Sequence, residues 1–172
     1  MHAKDDKPYA SYIKELIEKN FNKKVRVYLQ EKSELRLTFY SKFIYEFLNE
    51  YLNTKGNKTL NISLKKPIDN LSNGFLLYFI RGLIDTDGHV DKHGKIILAL
   101  ISKKLIEQTA VILKMFGIDS KISLRKVRPN EHPLYESRIL KKEAQKYLFL
   151  IGFPNRYKEI KLCASRDLKS RF

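Results

Sequence analysis

The chain has 172 residues, 43% of them hydrophobic and 12% aromatic, which is enough to build a core and too apolar for a disordered basic tail. Lys and Arg number 34 against 19 Asp and Glu, and this net charge of +15 is spread along the chain, so the partner implied is a polyanion and nucleic acid before an anionic membrane. The lone cysteine, Cys163, excludes an internal disulfide framework and a Cys-rich zinc site. With no run near the roughly 18 apolar residues of a membrane span and no apolar signal stretch in MHAKDDKPYA, an intracellular protein, cytoplasmic or nucleoid-associated, is expected.

In chain order, SYIKELIEKNF places Tyr12, Ile13, Leu16, Ile17 and Phe21 at helical spacing. KKVRVYLQ then alternates strictly, with Val25, Val27 and Leu29 on one side and Lys24, Arg26, Tyr28 and Gln30 on the other. EKSE turns the chain, and LRLTFY alternates again, Leu35, Leu37 and Phe39 against Arg36, Thr38 and Tyr40. The result is a hairpin with a basic, aromatic outer face. SKFIYEFLNEYL follows as a helix with Ser41 as its N-cap.

The same order recurs as the helix KKLIEQTAVILKMFGI, the strand SKISLRKV, the turn RPNEHP, the strand LYESRIL and the helix KKEAQKYLFLIGF. The chain therefore reads as one domain of two related repeats: a partial one over 11–52, a polar linker over 53–74, a complete one over 75–156, and a basic C-terminal tail over 157–172. Only the second repeat is preceded by a further helix and the short hairpin HVDKHGKIILALIS. Whatever that helix does, it does once per chain.

That helix carries the stretch FIRGLIDTDGHV. Phe75, Leu76, Phe79, Ile80 and Leu83 make it mostly apolar, Gly82 allows a close backbone approach, and Asp85 and Asp87 crowd its C-terminal end before Gly88. A helix C-terminus already carries partial negative charge, so acid placed there calls for a compensating cation. Mg²⁺, which takes hard oxygen ligands and keeps positions open for water and phosphate, meets the need; a plain Asx turn at DTDG is the alternative.

IRGLIDTDG, residues 80–88, resembles the LAGLIDADG motif of the homing endonucleases, differing at Ile80, Arg81 and Thr86, and the helix, hairpin, helix, hairpin, helix order that it opens is similar to that family's fold. The resemblance implies an α+β architecture in which antiparallel sheets form a saddle over double-stranded DNA, with helices on the other face. It also implies two motif helices packed at a pseudo-twofold axis and metal-dependent hydrolysis of phosphodiesters at a long specific site. On this reading Asp87 is the catalytic, metal-binding acid, with Gly88 lending backbone as a further ligand, while Gly82 and Asp85 serve the packing of the motif helices. Arg81 stands where the family has a small residue. Lys103, where the second hairpin strand ends, takes a water-positioning role, against the plainer reading of a solvated lysine opening a helix.

Outward strand residues would meet the DNA: Lys24, Arg26, Tyr28, Gln30, Arg36, Thr38 and Tyr40 in the first repeat, and Lys121, Ser123, Arg125, Glu136 and Arg138 in the second. In KIILALIS the outward positions Ile97 and Ala99 cannot read bases by hydrogen bonding. His89 faces DNA or solvent, and His2, His93 and His132 have no ligand spacing. Because one motif helix is present, activity requires a homodimer or a partner chain supplying a second. The competing functions are a catalytically inactive DNA-binding remnant and an RNA-splicing maturase of the same family.

Overall fold

Three serines mark where helices begin. Ser41, Ser72 and Ser102 lie in extended backbone, and their hydroxyls accept the N–H groups of Ile44, Phe75 and Leu105 at 3.3, 3.2 and 3.3 Å. Each satisfies a donor that helix geometry leaves open. The structure, a computed structural model, describes residues 6–30, 34–53, 58–125 and 131–167.

Helix α1 (Lys7–Phe21) leads into the hairpin β1 (Arg26–Gln30) and β2 (Glu34–Thr38), then α2 (Lys42–Tyr51), the short β3 (Leu52–Asn53), α3 (Lys58–Asn61) and β4 (Ser63–Leu64). The second part runs α4 (Asn73–Asp87), β5 (Gly88–Val90), β6 (Ile96–Leu100), α5 (Lys103–Met115), β7 (Ser120–Arg125), β8 (Leu134–Ile139), α6 (Lys141–Leu150) and α7 (Arg156–Asp167). The order from α1 to α2 repeats from α5 to α6, as the sequence duplication predicts.

All sheets are antiparallel: β1 with β2, β3 with β4, and a four-stranded sheet in the order β5-β6-β8-β7. Val90, Ile96 and Ile139 on one face of the large sheet bury against Leu76, Ile80 and Ile84 of α4, Ile112 and Leu113 of α5, and Ala144 and Tyr147 of α6. Each such aliphatic side chain contributes about 1.5–3 kcal/mol on burial, so this layer holds the fold. The β5–β6 turn is set by Asp91, whose Oδ1 accepts from the N–H groups of His93 and Lys95 at 2.8 and 2.9 Å, with Gly94 at φ 76°.

The first copy is poorer. Helix α2 buries no residue, and Val27 and Leu29, on the inner side of the small hairpin, stay 41% and 57% exposed. What α4, β5 and β6 supply to the second copy has no counterpart here among the described residues.

Two segments are more ordered than their composition suggests. Within the stretch 53–74, residues 62–64 are fastened to α5: the Leu64 N–H donates to Gln108 Oε1 at 2.9 Å, Gln108 Nε2 donates to the Leu64 carbonyl at 3.1 Å, and Ser102 Oγ donates to the Ile62 carbonyl at 2.6 Å. Leu64 and Leu71 enter the core. The basic segment after Arg156 is helical to Asp167 and packs on β5, with Lys158, Leu162 and Ser165 buried.

Candidate nucleic-acid interface and metal-binding carboxylate

The strand registers decide which side chains share a face. In the small hairpin Arg26 stands opposite Thr38, Tyr28 opposite Arg36 and Gln30 opposite Glu34, so the alternation read from the sequence produces one polar face. Lys24 lies just before it and Tyr40, 90% exposed, just beyond. The Gln30 side chain is outside the described residues. In the large sheet Lys121 stands opposite Arg138, Ser123 opposite Glu136, and Arg125 opposite Leu134; on the other flank of β8, Ile97 pairs with Arg138 and Ala99 with Glu136, while His89 faces Ile97. The residues named for the second repeat therefore share the face opposite the core.

Glu136 departs from its expected role. It is only 6% exposed, and its Oε2 accepts from Arg138 Nε at 2.7 Å and from Arg138 Nη2 as well. A carboxylate held this way orients the guanidinium and is not free to read a base. Ser123 beside it has a buried hydroxyl without a partner among the described residues. The exposed cations of this face are Lys121, Arg125 and Arg138.

At the end of α4, Asp87 is exposed, and its Oδ2 accepts from Thr86 Oγ1 at 3.1 Å; that hydroxyl also donates back to the Gly82 carbonyl at 3.0 Å. The other carboxylate oxygen has no hydrogen bond among the described residues. Those residues bring together no group of three or more His, Cys, Asp or Glu side chains. One open carboxylate suits Mg²⁺ when phosphate oxygens and water complete the shell, and does not suit a metal caged by protein alone. The donor set therefore fits a cation that arrives with the nucleic acid.

Two expected partners of Asp87 make other contacts. Gly88 presents its carbonyl to the Lys158 ammonium at 2.5 Å, a poor place for a second cation. Lys103 opens α5, 62% exposed, and pairs with Glu107 at 3.5 Å, one turn along its own helix. It is a surface pair and adds little to stability.

The compensating cation at the helix end is a lysine of this chain. Lys158 Nζ donates to the carbonyls of Ile84 and Asp85 at 2.8 and 2.6 Å, besides that of Gly88. Periodicity could not have revealed it: on α7 the more apolar-looking positions Tyr157 and Ile160 are exposed, and Lys158 is on the buried side.

Asp85, 2% exposed, has neither carboxylate oxygen in a hydrogen bond. Burial pushes its pKa up to about 7, with the positive charges of Lys158 and Arg81 pulling the other way, and the Asn155 backbone N–H, near it but outside hydrogen-bond geometry, adding to them. With Tyr78, Arg81 and Gly82 it forms one side of a groove of about 770 Å³, whose other side is Tyr12, Leu16 and Phe21 of α1. A Cβ built on Gly82 would meet nothing within 4 Å, and Arg81 Nε is buried without a partner. The face of α4 that carries Gly82 thus opens onto the groove it shares with α1.

Residues 74–152 match the family model described as a LAGLIDADG-like domain. Among curated proteins, the chain is 35% identical over 96 residues to the ATP-dependent DNA helicase Hel308 of Methanocaldococcus jannaschii, covering 55% of this chain and 8% of that protein. It is 32% identical over 124 residues to the Replication factor C small subunit of the same organism, covering 71% and 6%. The chain thus spans less than a tenth of these relatives. Among solved structures, the homing endonuclease I-DmoI in complex with DNA and Ca superposes with a TM-score of 0.59 at 19% identity, covering 83% of this chain and 65% of that one. I-DmoI with DNA and Mn superposes at 0.57 and 20% identity, covering 84% and 71%. The motif on α4, the duplicated helix–hairpin–helix order and the shared α+β fold agree with the domain match: residues 74–152 are a LAGLIDADG-like domain, and the chain has the fold of the homing endonuclease I-DmoI.

Proposed function

We propose that this chain is the single-motif part of a DNA endonuclease that hydrolyses phosphodiesters of double-stranded DNA at a long specific site, using Mg²⁺ or another divalent metal. The observation that carries this reading is the exposed Asp87 carboxylate at the end of α4, where the chain enters a sheet whose outer face bears Lys121, Arg125 and Arg138. Lys24, Arg26 and Arg36 on the hairpin face and these three on the sheet neutralise phosphates and read guanine edges, with Tyr28, Thr38, Tyr40 and Ser123 making the lesser contacts. Asp87 holds the metal against the scissile phosphate. When bound there, a divalent ion would supply an activated water and stabilise the negative charge that builds on the phosphate oxygens.

Completion of the centre falls to a partner segment with a second motif helix, seated in the groove between α1 and α4. By the duplication, a second copy packed α4 against α4 would lay its own α5, β7, β8 and α6 where α1, β1, β2 and α2 already stand. A helix with a following hairpin avoids that conflict and would also cover Val27 and Leu29. The matching of one stretch to small parts of two differently named proteins supports an inserted unit, intein-related or intron-encoded.

The open groove favours one second reading, a nucleic-acid-binding module that does not cut, either a remnant or an RNA-splicing maturase. Selecting duplexes from a randomised library for binding, then adding Mg²⁺, separates the two. The endonuclease reading expects a strand break at a fixed position that Asp87→Asn abolishes while binding stays within a few-fold. Cutting that survives Asp87→Asn removes Asp87 from the mechanism, and bound duplexes that are never cut, even with a helix–hairpin partner added, leave the binding module.

A further inference from the structure

Lys158 reaches the end of α4 from 70 residues further along the chain and is 7% exposed. Its Nζ meets three carbonyl oxygens, of Ile84, Asp85 and Gly88, at 2.5–2.8 Å. An ammonium has three donors; a neutral amine has two and would aim a lone pair at the third oxygen. The geometry is that of the charged form. Burial draws the pKa of Lys158 down, and Asp85, Asp6 and Asp87 draw it back.

The acceptors bracket Asp87 in the sequence, two before it and one after it, so the backbone on both sides of that carboxylate is tied to one buried point. Helix ends ordinarily fray. This one is held, and α7 that holds it is itself fixed at several places. Lys141 Nζ donates to the Ser165 carbonyl at 2.7 Å, and Ser165 lies against Gly94, where a Cβ would clash with its Oγ. Just ahead of α7, Asn155 Nδ2 donates to Asp6 Oδ1 at 2.9 Å.

We propose that Lys158 is the positioning residue of the candidate centre: it holds the last turn of α4 so that the Asp87 carboxylate stands ready for a divalent cation. The positive charge that the acidic helix end needs is thereby built into the fold, and the metal is left for chemistry. This inference rests on Asp87 being the metal-binding acid.

The test compares the wild type with Lys158→Met, similar in length and uncharged, and with Lys158→Gln, which keeps two N–H donors and drops the charge. Two readouts are independent of cleavage: amide exchange over residues 84–90, and broadening of those amides on titration with Mn²⁺ alone. Both variants are expected to exchange at least about tenfold faster there while β7 and β8 keep wild-type rates, and to bind Mn²⁺ at least about tenfold more weakly. A folded variant of either kind with wild-type exchange, or with equal or tighter Mn²⁺ binding, overturns the proposal. Asp87→Asn in the wild-type background separates the two levels: if it leaves the Mn²⁺ broadening intact, the metal assignment of Asp87 fails, whereas exchange still reports the Lys158 cap.

Discussion

Lys121 and Arg138 stand directly opposite each other on β7 and β8, two like charges on one face of the sheet. Glu136 holds the arginine from the same strand and relieves part of the repulsion. A stability-driven sequence would not place cations so; a phosphate-binding face would. Lys121→Thr should therefore raise the unfolding free energy of the free protein by roughly 0.3–1 kcal/mol. The same variant should lower the salt slope of DNA binding by about 0.9. Chemical denaturation and titrations at several salt concentrations check the two halves, and a variant that gains or loses in both together contradicts the trade-off.

Gln108 acts as a stand-in strand, receiving and donating one hydrogen bond at the Leu64 backbone. Gln108→Leu strips both and leaves half-covered backbone groups unpaired, at a cost of about 1–3 kcal/mol. Thermal unfolding should show the loss, with DNA affinity of the folded protein unchanged.

The clamp also shows where the sequence stopped being legible. The paired alternation in KKVRVYLQ and LRLTFY told both which residues share a face and which face is apolar, because period two survives any tertiary context. Among its described residues, stretch 53–74 carries Leu64 and Leu71 as buried core anchors, and its fastening is made by a side chain from α5 more than 40 residues on. Lys158 was hidden for a related reason: its burial is decided by three backbone carbonyls, which leave no mark on composition. The motif located Asp87, and geometry alone showed that the neighbouring cation is an ammonium.

Asp85 gives a pH signature. Its folded pKa, about 7, lies above its ordinary 3.8, so between these values the folded state binds more protons than the unfolded one. Stability from this group is full below about pH 4 and is lost as pH rises through 7. In metal-free protein the melting temperature of the wild type should fall across that window relative to Asp85→Asn, which has no charge to bury. Parallel melting curves from pH 4 to 8 would show that Asp85 is not the group responsible.

Gly82 separates folding from assembly. A Cβ there meets no described atom within 4 Å, and replacing a mid-helix glycine improves helix propensity by up to about 1 kcal/mol. Gly82→Leu should melt at or above the wild-type temperature while losing any partner seated in the groove, read by sedimentation or by restored cleavage. A variant that still assembles would move the partner site away from α4.

The central claim is that DNA lies across the two duplicated strand faces, and the salt dependence of binding tests it most directly. Association of a nonspecific duplex should be measured from roughly 50 to 200 mM salt for three proteins: the wild type, Arg26→Ala with Arg125→Ala, and Lys42→Ala with Lys146→Ala, the last two being exposed lysines on helices α2 and α6. The strand pair should flatten the logarithmic slope by about two units, one per lost phosphate contact, and the helix pair should change it far less. The opposite ordering, with the helix lysines carrying the slope, would place the DNA on the other side of the molecule and contradict the account.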